Sequence, residues 1–127
     1  DPGRSPSPQR VAVLGASHKP DRYANQAIRL LLEHGHRVVP VHPRLDAVEG
    51  LPVVHGLDAI AGPIDTLTLY VGPERSDEIV DAIVGLRPGR VIFNPGTENP
   101  ALEARLDAAG IPHERACTLV LLRTGKF

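Results

Sequence analysis

From residue 10 onward the chain alternates short apolar runs with segments whose apolar residues recur at helical spacing. Runs rich in Val, Ile and Leu at residues 10–14, 37–41, 66–71 and 90–93 read as strands, as do residues 113–116, with Val53-Val54 as a short extra. Several are almost continuously apolar, the pattern of strands covered on both faces. Residues 24–34 place Ala24, Ala27, Ile28 and Leu31 on one helical stripe, and Gly35 offers a left-handed stop. A second helix over residues 76–84 carries Ile79, Val80, Ile83 and Val84 and ends at Gly85. A third opens with Asn99 as N-cap and Pro100 at the first helical position, turns Leu102 and Leu106 inward and stops at Gly110. Residues 43–62 are broken by Gly50, Pro52, Gly56 and Gly62, and predict a loop-rich crossover with one helical turn at 57–60.

Strands alternating with helices in this way predict a parallel sheet wrapped by helices. Right-handed crossovers then make the simplest topology a single doubly wound, Rossmann-type α/β domain over residues 10–127, with a five-stranded, mostly parallel sheet. The chain would reverse its direction across the sheet beside the first strand, and ligands bind such sheets at the carboxyl ends of the strands near that point. Residues 1–9 hold three prolines and no apolar cluster, so they predict an unstructured tail and lack the apolar core of a secretory signal.

Composition narrows the function classes. A length of 127 residues suits one domain, and 42% hydrophobic content is ordinary for a packed core. A net charge of −1, with two Tyr and two Phe, supplies neither the basic footprint nor the stacking surface of a nucleic-acid binder. No apolar segment approaches the roughly 18 residues of a membrane span. The single Cys117 excludes an intramolecular disulfide framework, so a reducing, cytoplasmic setting is the expectation. His34 and His36 flank Gly35 without the acidic or Cys neighbours that would complete a metal site. No G-x-S-x-G elbow supports a Ser-His-Asp nucleophile, and no residue is assigned a catalytic role.

Four loops would meet at the carboxyl edge: 15–22, 42–45, 71–76 and 94–99. The first follows the initial strand as Gly15-Ala16-Ser17-His18-Lys19-Pro20-Asp21-Arg22, a turn that begins like the G-x-G-x-x-G dinucleotide fingerprint and then departs from it. Ser17 and Pro20 replace the second and third glycines. Ser17 retains a backbone N–H and a hydroxyl for a phosphate, and Lys19 and Arg22 add charge. At the end of the second strand, where an NAD-binding domain keeps an acidic residue about 20 residues beyond the glycine turn, stands His42-Pro43-Arg44. Asp46 lies too far along to be the first choice. A cation there suits a ribose bearing a phosphate, as in NADP or coenzyme A. Tyr70-Val71-Gly72-Pro73 offers an apolar wall, and Asn94-Pro95-Gly96 leads toward a helix N-terminus that favours anionic or carbonyl groups.

Together these loops resemble the coenzyme-A-binding domain family, small stand-alone Rossmann-type proteins, and are similar to the nucleotide-binding domain of the succinyl-coenzyme A synthetase α subunit. The likeness covers residues 10–117. It rests on the 15–22 loop, Val41-His42-Pro43, Gly50-Leu51-Pro52-Val53, Tyr70-Val71 and Asn94-Pro95-Gly96. The resemblance implies that Gly15, Ser17, Lys19 and Arg22 cradle coenzyme A phosphates, with Ala16 also among the cofactor-binding residues. It implies that His42, in place of the family's usual Asn, lies with Pro43 beside the adenosine. Arg44 stands where the synthetase has a lysine that reaches the nucleotide, and Val71, Pro73 and Asn94 would line the pantetheine path. The synthetase's phosphorylated histidine belongs to a separate domain, so ligase activity is not implied. The reading is a non-catalytic binding or regulatory module for coenzyme A or an acyl-coenzyme A. The alternative is an NADP-binding reductase subunit or a small acyl-coenzyme A-dependent enzyme whose site is completed in a dimer. A homodimer or a protein partner stays open, and the C-terminal run Leu119-Val120-Leu121-Leu122, if left uncovered, would be a surface for one.

Overall fold

In β1 (Arg10–Leu14) three successive residues, Val11, Ala12 and Val13, are fully buried, because both faces of this central strand are covered. The computed structural model describes residues 7–127. After β1 come α1 (Tyr23–Glu33), β2 (Arg37–Val41), a hairpin of β3 (Ala47–Val48) and β4 (Leu51–Pro52), and a 3₁₀ turn at Leu57–Ala59. Then follow β5 (Thr66–Leu69), α2 (Pro73–Glu78), α3 (Val80–Leu86), β6 (Arg90–Phe93), α4 (Pro100–Ala108), β7 (His113–Arg115) and α5 (Thr118–Arg123).

The main sheet has five strands in the order β2-β1-β5-β6-β7, all parallel. The chain first moves outward from β1 to β2 and then restarts on the other side at β5, which sets the switch point between β1 and β5. The period of two along each strand sorts the core into two layers. Val11 and Val13 meet Ala24, Ile28, Leu31 and Leu122 on the face covered by α1 and α5. Ala12 and Leu14 join Leu67, Leu69, Ile83, Phe93, Leu102 and Leu106 on the face covered by α3 and α4.

The predicted fold class and the reversal beside the first strand both hold, while several boundaries differ. Gln9, read as tail, is tied into the sheet: its N–H donates to His36 Nδ1 at 3.0 Å and its side-chain oxygen accepts from Thr66 Oγ1 at 2.6 Å. Residues 1–6 of that tail lie outside the described residues. The third main strand stops at Leu69, and the helix predicted over 76–84 starts earlier and splits at Ile79 (φ −126°, ψ 21°). The two pieces are anchored separately, since Asn99 Nδ2 donates to Ser76 Oγ and Asp77 Oδ1 of α2, both at 2.8 Å, while α3 packs Ile83 into the core. The C-terminal apolar run forms α5, an element the sequence reading missed; Leu119 and Leu122 are buried one turn apart and Val120 is exposed.

Both edges of the sheet are occupied or blunt. Along β2 the Val54 N–H donates to Pro40 O (2.9 Å) and the His42 N–H donates to Val54 O (3.0 Å), so the Val53-Val54 extra is a single bridge outside the strand. At the other edge β7 is three residues long and charged at Glu114 and Arg115.

The sheet is joined to α5 by a buried polar knot. Asn94 Nδ2 donates to Thr68 Oγ1 (2.7 Å) and Leu69 O (2.8 Å), Asn94 Oδ1 accepts the Thr118 N–H (2.9 Å), and the Thr68 and Thr118 hydroxyls pair at 2.8 Å. Removing this amide strands several buried groups, each loss costing about 1–3 kcal/mol. Asn94→Ala is therefore expected to lower unfolding free energy by about 2–4 kcal/mol in urea titrations, and a loss within about 0.5 kcal/mol would contradict this account.

Candidate ligand-binding site

At the end of β1 the Gly15 and Ala16 N–H groups both donate to Val41 O at 3.1 Å, which bends the chain sharply over the switch point. Gly15 holds φ +89°, and a Cβ there would lie 2.9 Å from Tyr70 O and from Val71 Cγ1. Only glycine fits this turn, for reasons of conformation and of space together.

Two clefts flank the turn. The larger, about 670 Å³, is lined by Gly15 through Lys19, Arg22, Tyr23, His42, Arg44, Tyr70 and Pro95 through Thr97 among others. Lys19, Arg22 and Arg44 are exposed and have no acidic partner among the described residues, so three cations face one polar-rimmed groove. The second cleft, about 580 Å³, lies on the other side of Gly15-Ala16. Its floor is apolar, from Leu14, Val41, Leu57, Val71 and Ile79, and its rim carries His42, Pro43, His55, Asp58 and Arg75.

The structure thus brings together Gly15, Ala16, Ser17, Lys19, Arg22, His42 and Arg44 on the first cleft, and Gly15, Ala16, His42, Pro43 and Val71 on the second. It does not bring Pro73 or Asn94 to either. Pro73 opens α2, where its neighbour Gly72 lines the larger cleft. Asn94 is 2% exposed and its amide is spent on the Thr68, Leu69 and Thr118 groups, leaving Pro95, Gly96 and Thr97 as the lining of that loop.

Local bonds hold the 15–22 loop in one shape. Ser17 Oγ accepts the Lys19 N–H at 3.1 Å, leaving its own O–H to donate. Asn25 Nδ2 donates to Ser17 O at 3.0 Å, and Arg29 Nη2 donates to Pro20 O at 2.9 Å. Sequence reasoning missed Asn25, Arg29, His55 and Arg75. The one signal for Asn25 was a polar residue inside the buried stripe between Ala24 and Ile28.

His42 takes up the geometry that an Asn supplies in an Asx turn. Its Nδ1 accepts the N–H groups of Arg44 and Leu45, both at 3.0 Å, and so fixes the loop that presents Arg44. Burial, with the positive charges of Arg75 and Arg44 beside it, holds the ring's pKa below its usual value and keeps Nδ1 unprotonated as an acceptor. Tyr70, which lines the larger cleft, has its phenol oxygen buried and without a hydrogen-bond partner among the described residues. Burial pushes its pKa up to about 12, so the phenol stays protonated; the nearby Thr68 and Thr118 hydroxyls are engaged with each other. Among the described residues no three His, Cys, Asp or Glu side chains gather around a metal-sized position, and no helix is long and apolar enough to cross a membrane.

A nucleotide-sized pair of clefts at the switch point of a doubly wound sheet defines a ligand-binding Rossmann-type domain. The chain belongs to the CoA binding domain family, whose pattern it matches over residues 9–123. It is 32% identical over 71 residues to the uncharacterized protein YneT of Bacillus subtilis, a stretch that is 56% of this chain and spans half of that protein's length. A crystal structure of an uncharacterized protein superposes with a TM-score of 0.90 at 39% identity, covering 96% of this chain and all of the other. A Thermus thermophilus structure gives a TM-score of 0.86 at 34% identity over 94% of this chain and 91% of its own.

The His42 turn carries a pH dependence. Because the folded ring has a pKa below the unfolded value of 6.5, its contribution to stability is complete above that value and is lost as pH falls through the folded pKa. His36 shifts in the same direction. Unfolding midpoints at pH 7.5 and pH 5.5 are expected to drop less in His42→Asn, which keeps the acceptor and removes the titration, than in the unsubstituted protein; equal drops would sink the assignment.

Proposed function

We propose that residues 10–127 form one domain that binds coenzyme A or an acyl-coenzyme A along the carboxyl edge of the sheet, as a non-catalytic binding module. The observation that carries the reading is the gathering of Lys19, Arg22 and Arg44, none with an acidic partner among the described residues, on the cleft at the Gly15 turn. Such a set favours a ligand with more phosphate than NAD carries. Among the described residues no acidic side chain lines the cation-bearing cleft to act as the ribose anchor that marks NAD specificity, and the carboxylate on the second cleft is that of Asp58. Family membership supplies the nature of the nucleotide. In this reading the loop cations and the Ser17 hydroxyl hold phosphates, and the apolar floor of the second cleft takes the adenine. Pantetheine leaves past Gly96 and Thr97.

Calorimetric titration with coenzyme A, dephospho-coenzyme A, NAD and NADP tests the proposal. Coenzyme A is expected to bind tightest, with dephospho-coenzyme A weaker. Arg44→Ala is expected to cost about fivefold for coenzyme A and to erase most of the difference from the dephospho form. Equal or tighter binding of NAD would overturn the ligand assignment, and turnover of an acyl-coenzyme A by the purified protein would overturn the non-catalytic one.

A further inference from the structure

We infer that Asn25 and Arg29 are positioning residues that turn the His18 peptide N–H into the larger cleft as a phosphate donor. The inference rests on the phosphate-binding reading of that cleft and adds to it which backbone group does the holding and what aims it. In the 15–22 loop most backbone donors are already spent. Gly15 and Ala16 donate to Val41 O, Lys19 donates to Ser17 Oγ, Arg22 donates to Lys19 O, and Pro20 has no N–H. The N–H groups of Ser17, His18 and Asp21 have no acceptor among the described residues, and of these three residues Ser17 and His18 line the cleft.

The carbonyl of Ser17 and the N–H of His18 belong to one trans peptide plane and point in opposite directions. Asn25 Nδ2 draws Ser17 O toward the start of α1 at 3.0 Å, so the His18 N–H is turned away from α1, and His18 lines the cleft. Asn25 is fully buried in the apolar stripe of α1, a costly place for an amide unless its bonds are made. They are: its second N–H donates to Glu49 Oε2 at 3.1 Å and its Oδ1 accepts from Arg29 Nε at 2.8 Å. Arg29 in turn holds Pro20 O at 2.9 Å, so the loop is gripped at two carbonyls on either side of Lys19. Glu49 sits at the left-handed turn of the β3–β4 hairpin (φ +50°), which ties that hairpin to the same amide.

Asn25→Asp keeps the shape and removes both donations. The double variant Asn25→Asp with Glu49→Gln restores the link to the hairpin, because the new amide donates to the new carboxylate, but leaves Ser17 O ungripped. Arg29→Ala releases Pro20 O and also leaves Asn25 Oδ1 without its donor, so it loosens the loop at some cost in stability. The readouts are amide NMR titrations with inorganic pyrophosphate and with coenzyme A, and urea unfolding in parallel. In the unsubstituted protein the His18 amide proton is expected to move downfield with either probe. The double variant should regain most of the stability lost in Asn25→Asp yet bind coenzyme A about tenfold more weakly and lose the His18 response, and Arg29→Ala should weaken binding about threefold. Affinity that recovers along with stability in the double variant, unchanged affinity in Arg29→Ala, or a silent His18 amide overturns the inference. A His18 response to pyrophosphate with no binding of coenzyme A supports the inference while refuting the coenzyme A reading.

Discussion

One carbonyl, that of Val41, accepts two successive N–H groups from the residues that follow the central strand. This shared acceptor forces β1 to leave the sheet in a tight left-handed bend, and the bend lies so close to Tyr70 and Val71 that no side chain fits at Gly15. The ends of β1, β2 and β5 therefore meet at a single residue. Everything at the carboxyl edge is placed relative to that meeting: one cleft opens on the side of α1, the other on the side of α3, and the first loop begins already aimed across the gap between β1 and β5.

Around this bend, three buried asparagines do for the loops what hydrophobic packing does for the sheet. Asn25 grips the carbonyl of Ser17, Asn94 joins the ends of β5 and β6 to the start of α5, and Asn99 caps α4 through Leu102 while holding α2. Each amide offers two donors and an acceptor in a fixed plane, so each can bind groups from different segments at once. A buried amide with its bonds complete costs little, but with one missing it is expensive, which makes each of these junctions close to all-or-none. Loops that carry no core of their own are thereby held to definite shapes.

The parallel sheet and its reversal were legible because buried strands write themselves as continuous Val, Ile and Leu, and because Gly35, Asn99, Pro100 and Gly110 punctuate α1 and α4. Much of the cation-lined cleft was legible as well, since a modified glycine turn announces itself locally. What was not legible depended on partners distant in sequence. The break at Ile79 separates a segment anchored by Asn99 from one packed in the core, a division no helical period reveals. Helix α5 was hidden because its two inward residues, Leu119 and Leu122, sit in a run that is apolar throughout. Asn94 looked like a loop residue free for a ligand, whereas its bonding partners lie 24 to 26 residues away and claim it for the fold. Asn25 was overlooked for the converse reason: a polar residue in a helical stripe has no local signature of the loop it serves.

The treatment of the sheet's edges bears on how copies of this domain can associate. On one side Pro40 of β2 offers no N–H and Val54 takes up Pro40 O and the His42 N–H, and a three-residue charged strand ends the other. Such margins give an incoming strand little template to extend, the route by which exposed sheets join into continuous layers or fibres. The helix faces of α1, α3, α4 and α5, rather than the sheet margins, are then the surfaces this fold turns outward, and the start of α1 is shared with the ligand cleft.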